Sequence, residues 1–320
     1  MKPKQLLIIA LLACLSTQQQ ACAQQPQLAG EDMMNPSQVI SPYVPTEITF
    51  AGEIVDLRRA DLHERMDREL ITFSYGHTTT LLMIKRANRY FPIIEPILKE
   101  CGVPDDLKYL MAIESSVDIR ALSPAKAAGL WQFMPATGKE YGLEVNTNID
   151  ERYHVEKATR AACKYLKDGY EKYGDWLTVA ASYNAGFARI TSELEKQKTD
   201  TSMDMWLNKE TSRYMFRILA AKQVFTSPRL YGFILRASDL YPTLPTQPYE
   251  VKTTITDLGA FAKQQGIPMS LLKEANPWLL TNTLPVRPGG KTYTLQLPIM
   301  EKWTYDSSAT LPHDRNWVVE

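Results

Sequence analysis

The chain has 320 residues, room for one large domain and a small one, and 44% of them are apolar against 22% charged, which excludes wholesale disorder and several membrane spans. Lysine plus arginine and aspartate plus glutamate number 36 each. No basic surface advertises nucleic acid, so a polymeric partner would be gripped by shape and hydrogen bonds.

At the N-terminus, Lys2 and Lys4 precede an apolar run from Leu6 to Leu15. That run is too short for the roughly 20 helical residues that cross a bilayer but suits an export signal. Ala21-Cys22-Ala23 offers a small-residue cleavage pattern, so residues 1–23 are read as a signal peptide. Leu11-Leu12-Ala13-Cys14 is similar to a lipoprotein processing site, and cleavage there would instead leave an acylated Cys14 and a membrane association. Removal of residues 1–23 leaves Cys101 and Cys163, which form one disulfide in an oxidising compartment or stay as two buried thiols; both readings stay open. His63, His77, His154 and His313 are scattered without metal-ligand spacing, so no metal or other cofactor is expected.

Residues 24–49, rich in Gln, Pro and Ser, read as a linker. From about Glu53 the pattern turns helical, giving an N-terminal helical extension over 50–90. A helix over Thr78–Tyr90 should end or kink at Pro92, with a further short helix over Glu95–Cys101 closed by Gly102. Pro104-Asp105-Asp106 opens the next helix, with acids in the first turn where the helix dipole favours them. Further helices are expected over Pro135–Tyr141, Glu151–Tyr173, Trp176–Phe187 and Met205–Phe225. No period-two alternation shows between Gln38 and Tyr231, so the fold is expected to be mainly α. Pro242, Pro245 and Pro248 mark a second linker over 233–248. A strand over Tyr249–Thr254, helices over Thr256–Gln265 (capped by Thr256) and Met269–Ala275, and a strand over Lys291–Leu297 then make a small α+β module over 249–300, with a tail over 301–320.

On the helix after Pro104, Leu107, Leu110, Met111 and Glu114 fall at i, i+3, i+4 and i+7, which puts Glu114 on the stripe that faces inward. Desolvation by neighbours such as Met111 and Met134 would raise its pKa and keep it protonated near neutrality, as a general acid requires. On this helix alone, a buried glutamate satisfied by a helix end or a lysine is the stronger reading.

Two later segments reverse that judgement: Gly129-Leu130-Trp131-Gln132-Phe133-Met134-Pro135, and Ala180-Ala181-Ser182-Tyr183-Asn184-Ala185-Gly186. Read separately, Trp131 and Phe133 are core aromatics, Gln132 a loop amide and Tyr183 a buried phenol. Together with Glu114-Ser115, in this order and spacing, they resemble the catalytic domain of the soluble lytic transglycosylases over 91–232, and within that family the membrane-bound murein transglycosylase D group. The resemblance implies a lysozyme-like helical fold and cleavage of the MurNAc–GlcNAc bond of peptidoglycan to 1,6-anhydro-MurNAc ends. It implies Glu114 as the one catalytic carboxylate. It further implies Ser123, Gln132, Met134, Tyr183, Asn184 and, on a weaker match, Tyr214 as residues of the substrate cleft. Ser123 to Ala128 holds Lys126 and no glycine, a departure from many relatives that leaves loop flexibility and substrate preference open. Ordinary glycosidases need a pair of carboxylates; none of the motifs supplies a second, and Asp150 and Glu151 read as a helix start.

The C-terminal module resembles a LysM carbohydrate-binding module whose usual Gly-Asp-Thr opening appears as Thr253-Thr254-Ile255-Thr256, so it is either a glycan tether or a packing module. The implied partner is the glycan strand, and the implied state a monomer in the periplasm or at the outer membrane of a Gram-negative bacterium. A goose-type lysozyme or a non-catalytic wall-binding scaffold are the alternatives.

Overall fold

The computed structural model describes residues 39–306 and 308–319. The expected signal peptide, the lipoprotein-like Cys14 and most of the first linker lie outside the described residues.

The described chain opens with a hairpin, β1 (Glu47–Phe50) and β2 (Glu53–Asp56), where a helix was expected from Glu53 and no strand was expected at all. Ala51 and Gly52, both at positive φ (52° and 89°), make the two-residue turn that suits a twisted hairpin. Ile48, Phe50 and Val55 are buried. Four-residue strands are too short to show a period, so the Ala-Gly turn was the legible signal.

The helices follow as α1 (Ala60–Tyr75), α2 (His77–Cys101), α3 (Lys108–Ser115), α4 (Pro135–Glu140), α5 (Val155–Tyr173), α6 (Trp176–Ala185), α7 (Phe187–Gln197) and α8 (Lys209–Thr226). The chain is mainly helical, as expected. Pro92 does not end its helix: α2 runs unbroken through Pro92 and Pro96 to a left-handed Gly102. An interior proline costs about 3 kcal/mol, while Phe91, Ile94, Ile97 and Leu98 around it are buried at about 1.5–3 kcal/mol each. Burial wins. Gly186 (φ 86°) divides the helix expected to run through Phe187, and α7 beyond it was not foreseen. Asn208 caps α8 by accepting from Thr211 N, so that helix starts later than Met205. Cys101 and Cys163 are free thiols, one on α2 and one on α5, two helices that pack together.

The C-terminal module has the expected strand-helix-helix-strand order: β3 (Thr246–Val251), α9 (Leu258–Gln264), α10 (Met269–Ala275) and β4 (Tyr293–Pro298), with β3 and β4 antiparallel. Asp257, not Thr256, caps α9, accepting from Gly259 N and Ala260 N. Both amides reach one oxygen, Oδ1, whose negative charge also suits the positive end of the helix dipole.

The module and the helical domain are joined by more than a linker. Asp150 N donates to Trp278 O (2.9 Å) and Leu280 N to Asn148 O (2.9 Å), a backbone seam that brings Ile149 into the module's core. His154 stacks on Trp278, and Lys291 pairs with Glu144 and Glu151. Residues 233–248 pack rather than hang free: Leu235 and Leu240 are buried, and Tyr241 N donates to Lys85 O. The tail then returns to the helical core, where Trp317 is buried and its Nε1 donates to Phe225 O (2.7 Å).

Candidate active site

Leu107, Leu110 and Met111 are fully buried, so the stripe read from their spacing faces inward and carries Glu114 to its edge, partly accessible. Ser116 and Val117, both left-handed (φ 51° and 54°), reverse the chain directly after α3. Burial pushes the Glu114 carboxyl up to about 7 against a hydrogen bond from Tyr214 and the charge of Arg217, both of which favour the ionised form; Glu210 adds a smaller push upward. Tyr214, buried on α8, donates its phenol to Glu114 Oε1 at 2.5 Å. Tyr183 on α6 also faces this carboxylate, and burial and the nearby Glu114 raise its phenol well above the usual range.

The loop between Asp118 and Met134 is a folded knot. Leu122 and Phe133 each bridge to Ala128, and Gly129 (φ 75°) passes so close to Arg152 that a Cβ would lie 2.0 Å from its carbonyl oxygen. Gln132, left-handed at φ 49°, turns its amide back to donate to Ala121 O (3.2 Å) and Gly129 O (2.8 Å). The Trp131 side chain is fully buried with Nε1 donating to Thr159 Oγ1, and its carbonyl accepts the Tyr183 phenol at 2.6 Å. That bond ties the loop to the helix beside Glu114.

Arg152, which the sequence did not single out, holds the knot from beneath. Buried itself, it donates to Lys126 O (2.7 Å) and Phe133 O (2.8 Å) and pairs with buried Asp150 at 2.7 Å. Asp150 and Glu151 are thus spent on structure, Glu151 with Lys157 and Lys291. Contacts across 26 and 19 residues reveal Arg152, and no local pattern announces it.

The structure brings Glu114, Tyr214 and Tyr183 together and sets Gln132 in the loop bound to Tyr183. Ser123 accepts from Ala127 N through Oγ, Met134 is exposed, and exposed Asn184 accepts from Thr211 Oγ1. Among the described residues no hydrogen bond joins Ser123, Gln132, Met134 or Asn184 to Glu114. Glu210, whose charge adds to the upward push on Glu114, pairs with Arg217 at 3.4 Å.

Residues 91–205 match the transglycosylase SLT domain, and residues 247–301 match the soluble lytic transglycosylase C-terminal LysM-like domain. The chain is 32% identical over 228 residues to membrane-bound lytic murein transglycosylase D of Escherichia coli (strain K12), covering 70% of this chain and 49% of that protein. It is 26% identical over 208 residues to membrane-bound lytic murein transglycosylase C of Haemophilus ducreyi, covering 57% and 56%. The chain therefore spans about half the length of the curated relatives it matches. Among solved structures, the 70 kDa soluble lytic transglycosylase of Escherichia coli aligns over 51% of this chain and 28% of that one, at 19% identity and a TM-score of 0.40.

Proposed function

Residues 91–205 belong to the transglycosylase SLT domain family and residues 247–301 to its C-terminal LysM-like companion, and from that membership we propose that this protein cleaves peptidoglycan glycan strands without water. The observation that carries the reading is one carboxyl, Glu114, held near neutrality by burial and oriented by a phenol.

The chemistry balances on that single group. Protonated Glu114 gives its proton to the bridging oxygen as the bond to C1 of the muramic residue breaks. The N-acetyl carbonyl of the same sugar stabilises the cationic C1. Glu114, now a carboxylate, takes the proton of the sugar's own 6-hydroxyl, whose oxygen closes on C1, giving a 1,6-anhydro end and a protonated Glu114 ready for another cycle. Tyr214 keeps the carboxyl aimed through both steps, since a hydrogen bond to a carboxylate strengthens as its charge develops. Tyr183 sets the height of the Gln132 loop through the Trp131 carbonyl. Ser123, Gln132, Met134 and Asn184 line the cleft. The catalytic unit extends beyond residue 205, because Tyr214 lies on α8.

Digestion in ¹⁸O-labelled water tests this reading. Released muramic ends are expected to carry no label; label at C1 would replace the proposal by the goose-type lysozyme reaction, and no release at all by a binding scaffold.

The protein is exported, a reading supported by the N-terminal segment and by relatives named membrane-bound. Intact mass of the protein from cell fractions is expected to begin at Gln24, and a lipid-modified Cys14 would place it on a membrane instead.

A further inference from the structure

Glu69 on α1 has no accessible surface and lies outside the segment that matches the SLT domain. A buried charge must be compensated, and this one is held by arginines. Arg213 Nε and Nη2 donate to its two oxygens at 2.8 and 3.1 Å, Arg68 Nε approaches at 3.0 Å, and Arg217 Nε at 3.7 Å. Arg213 and Arg217 are one turn apart on α8, and Tyr214 stands between them in sequence. Residues four apart share a helix face, so two grips on one carboxylate fix the rotation of α8 about its axis. The direction of Tyr214 follows.

Resting on the reading of Glu114 as acid and base, we propose that Glu69 is a positioning residue for the catalytic site: it aims Tyr214 at Glu114 by holding Arg213 and Arg217 on the turn of α8 that carries it. The groups facing Glu114 are Tyr214, Arg217 and Glu210 on α8 and Tyr183 on α6. The other charges near α3 are engaged elsewhere: Lys108 with Glu95 of α2 and with Asp105, and Asp106 with Lys222. Arg217 is shared: its Nε approaches Glu69 at 3.7 Å and its Nη2 pairs with Glu210 at 3.4 Å.

The test is the pH profile of kcat/KM on purified glycan strands for wild type, Glu69→Gln and Arg217→Met, with thermal unfolding measured alongside. Glu69→Gln loosens the grip on α8 and with it the Tyr214 bond that favours ionised Glu114, so the descending limb moves to higher pH by about half a unit or more. Arg217→Met removes a charge that favours ionised Glu114, so that limb moves to higher pH. Movement of the limb to higher pH in Glu69→Gln, with kcat falling more than KM rises, supports the proposal. Lower thermal stability with both limbs at the wild-type position overturns it, leaving Glu69 as a tie between α1 and α8. If Glu69→Gln does not fold, Arg213→Lys, which keeps the charge but not the two-pronged grip on Glu69, takes its place, and an unmoved limb overturns the proposal. Activity surviving in Glu114→Gln would sink the underlying catalytic reading instead, whatever the limbs do.

Discussion

In the proposed function Glu114 combines two demands that pull apart: a general acid must stay protonated near neutrality, and a base must then carry charge in the same place. Burial serves the first and the Tyr214 phenol the second. Tyr214→Phe removes a hydrogen bond to a charged group, worth about 1.5–3 kcal/mol, so kcat should fall about ten- to a hundredfold. The descending limb of the rate profile should also move to higher pH, because the lost bond favoured the ionised form. Stability carries the same signature. The folded pKa of Glu114, about 7, lies above its ordinary 4.5, so the folded state binds the extra proton between these values and stability falls as pH rises through that window. Glu114→Gln cannot ionise. It should therefore be more stable than wild type above pH 7, by on the order of 2–3 kcal/mol, and similar to it below pH 4; thermal melts at both ends check this. Glu114 was legible because helical spacing exposes an acid on an apolar stripe. Tyr214 showed only as a weak match, since a bond across a hundred residues leaves no local pattern.

At the level of elements, the active-site loop is held by backbone contacts that side-chain motifs do not display. Gly129→Ala meets both a left-handed φ and the Arg152 carbonyl, and is expected to unfold the loop and abolish activity while circular dichroism still reports the helices. Arg152→Met would strand Asp150 as a buried, unpaired charge and free two loop carbonyls, a loss of about 3–5 kcal/mol read from urea unfolding. The helices of the domain were legible from their apolar periods, with ends displaced by caps such as Asn208 and by Gly186. The β1–β2 hairpin and the unbroken α2 were not. In the hairpin, four-residue strands carry too little period. In α2, neighbours buried around Pro92 decided a contest that local propensity would have lost.

Across the whole molecule, the two matched domains form one compact unit from Ser41 onward rather than beads on a string. Ile149 belongs to the module's core, and Trp317 from the far end of the chain belongs to the helical core, packed against Phe91 and Phe225. Trp317→Ala should cost about 3–5 kcal/mol although it lies near the C-terminus, and calorimetry of the full chain should show a single transition. The module's order of elements was readable from its sequence, but its seam with the helical domain was not, because the pairing partners Asn148 and Leu280 are 132 residues apart. The proposed function rests on one carboxyl, so the most direct measurement is mass spectrometry of peptidoglycan digested by wild type and by Glu114→Gln. The account predicts 1,6-anhydro-muropeptides from wild type and none from the variant; reducing-end muropeptides from wild type, or anhydro products from Glu114→Gln, would contradict it.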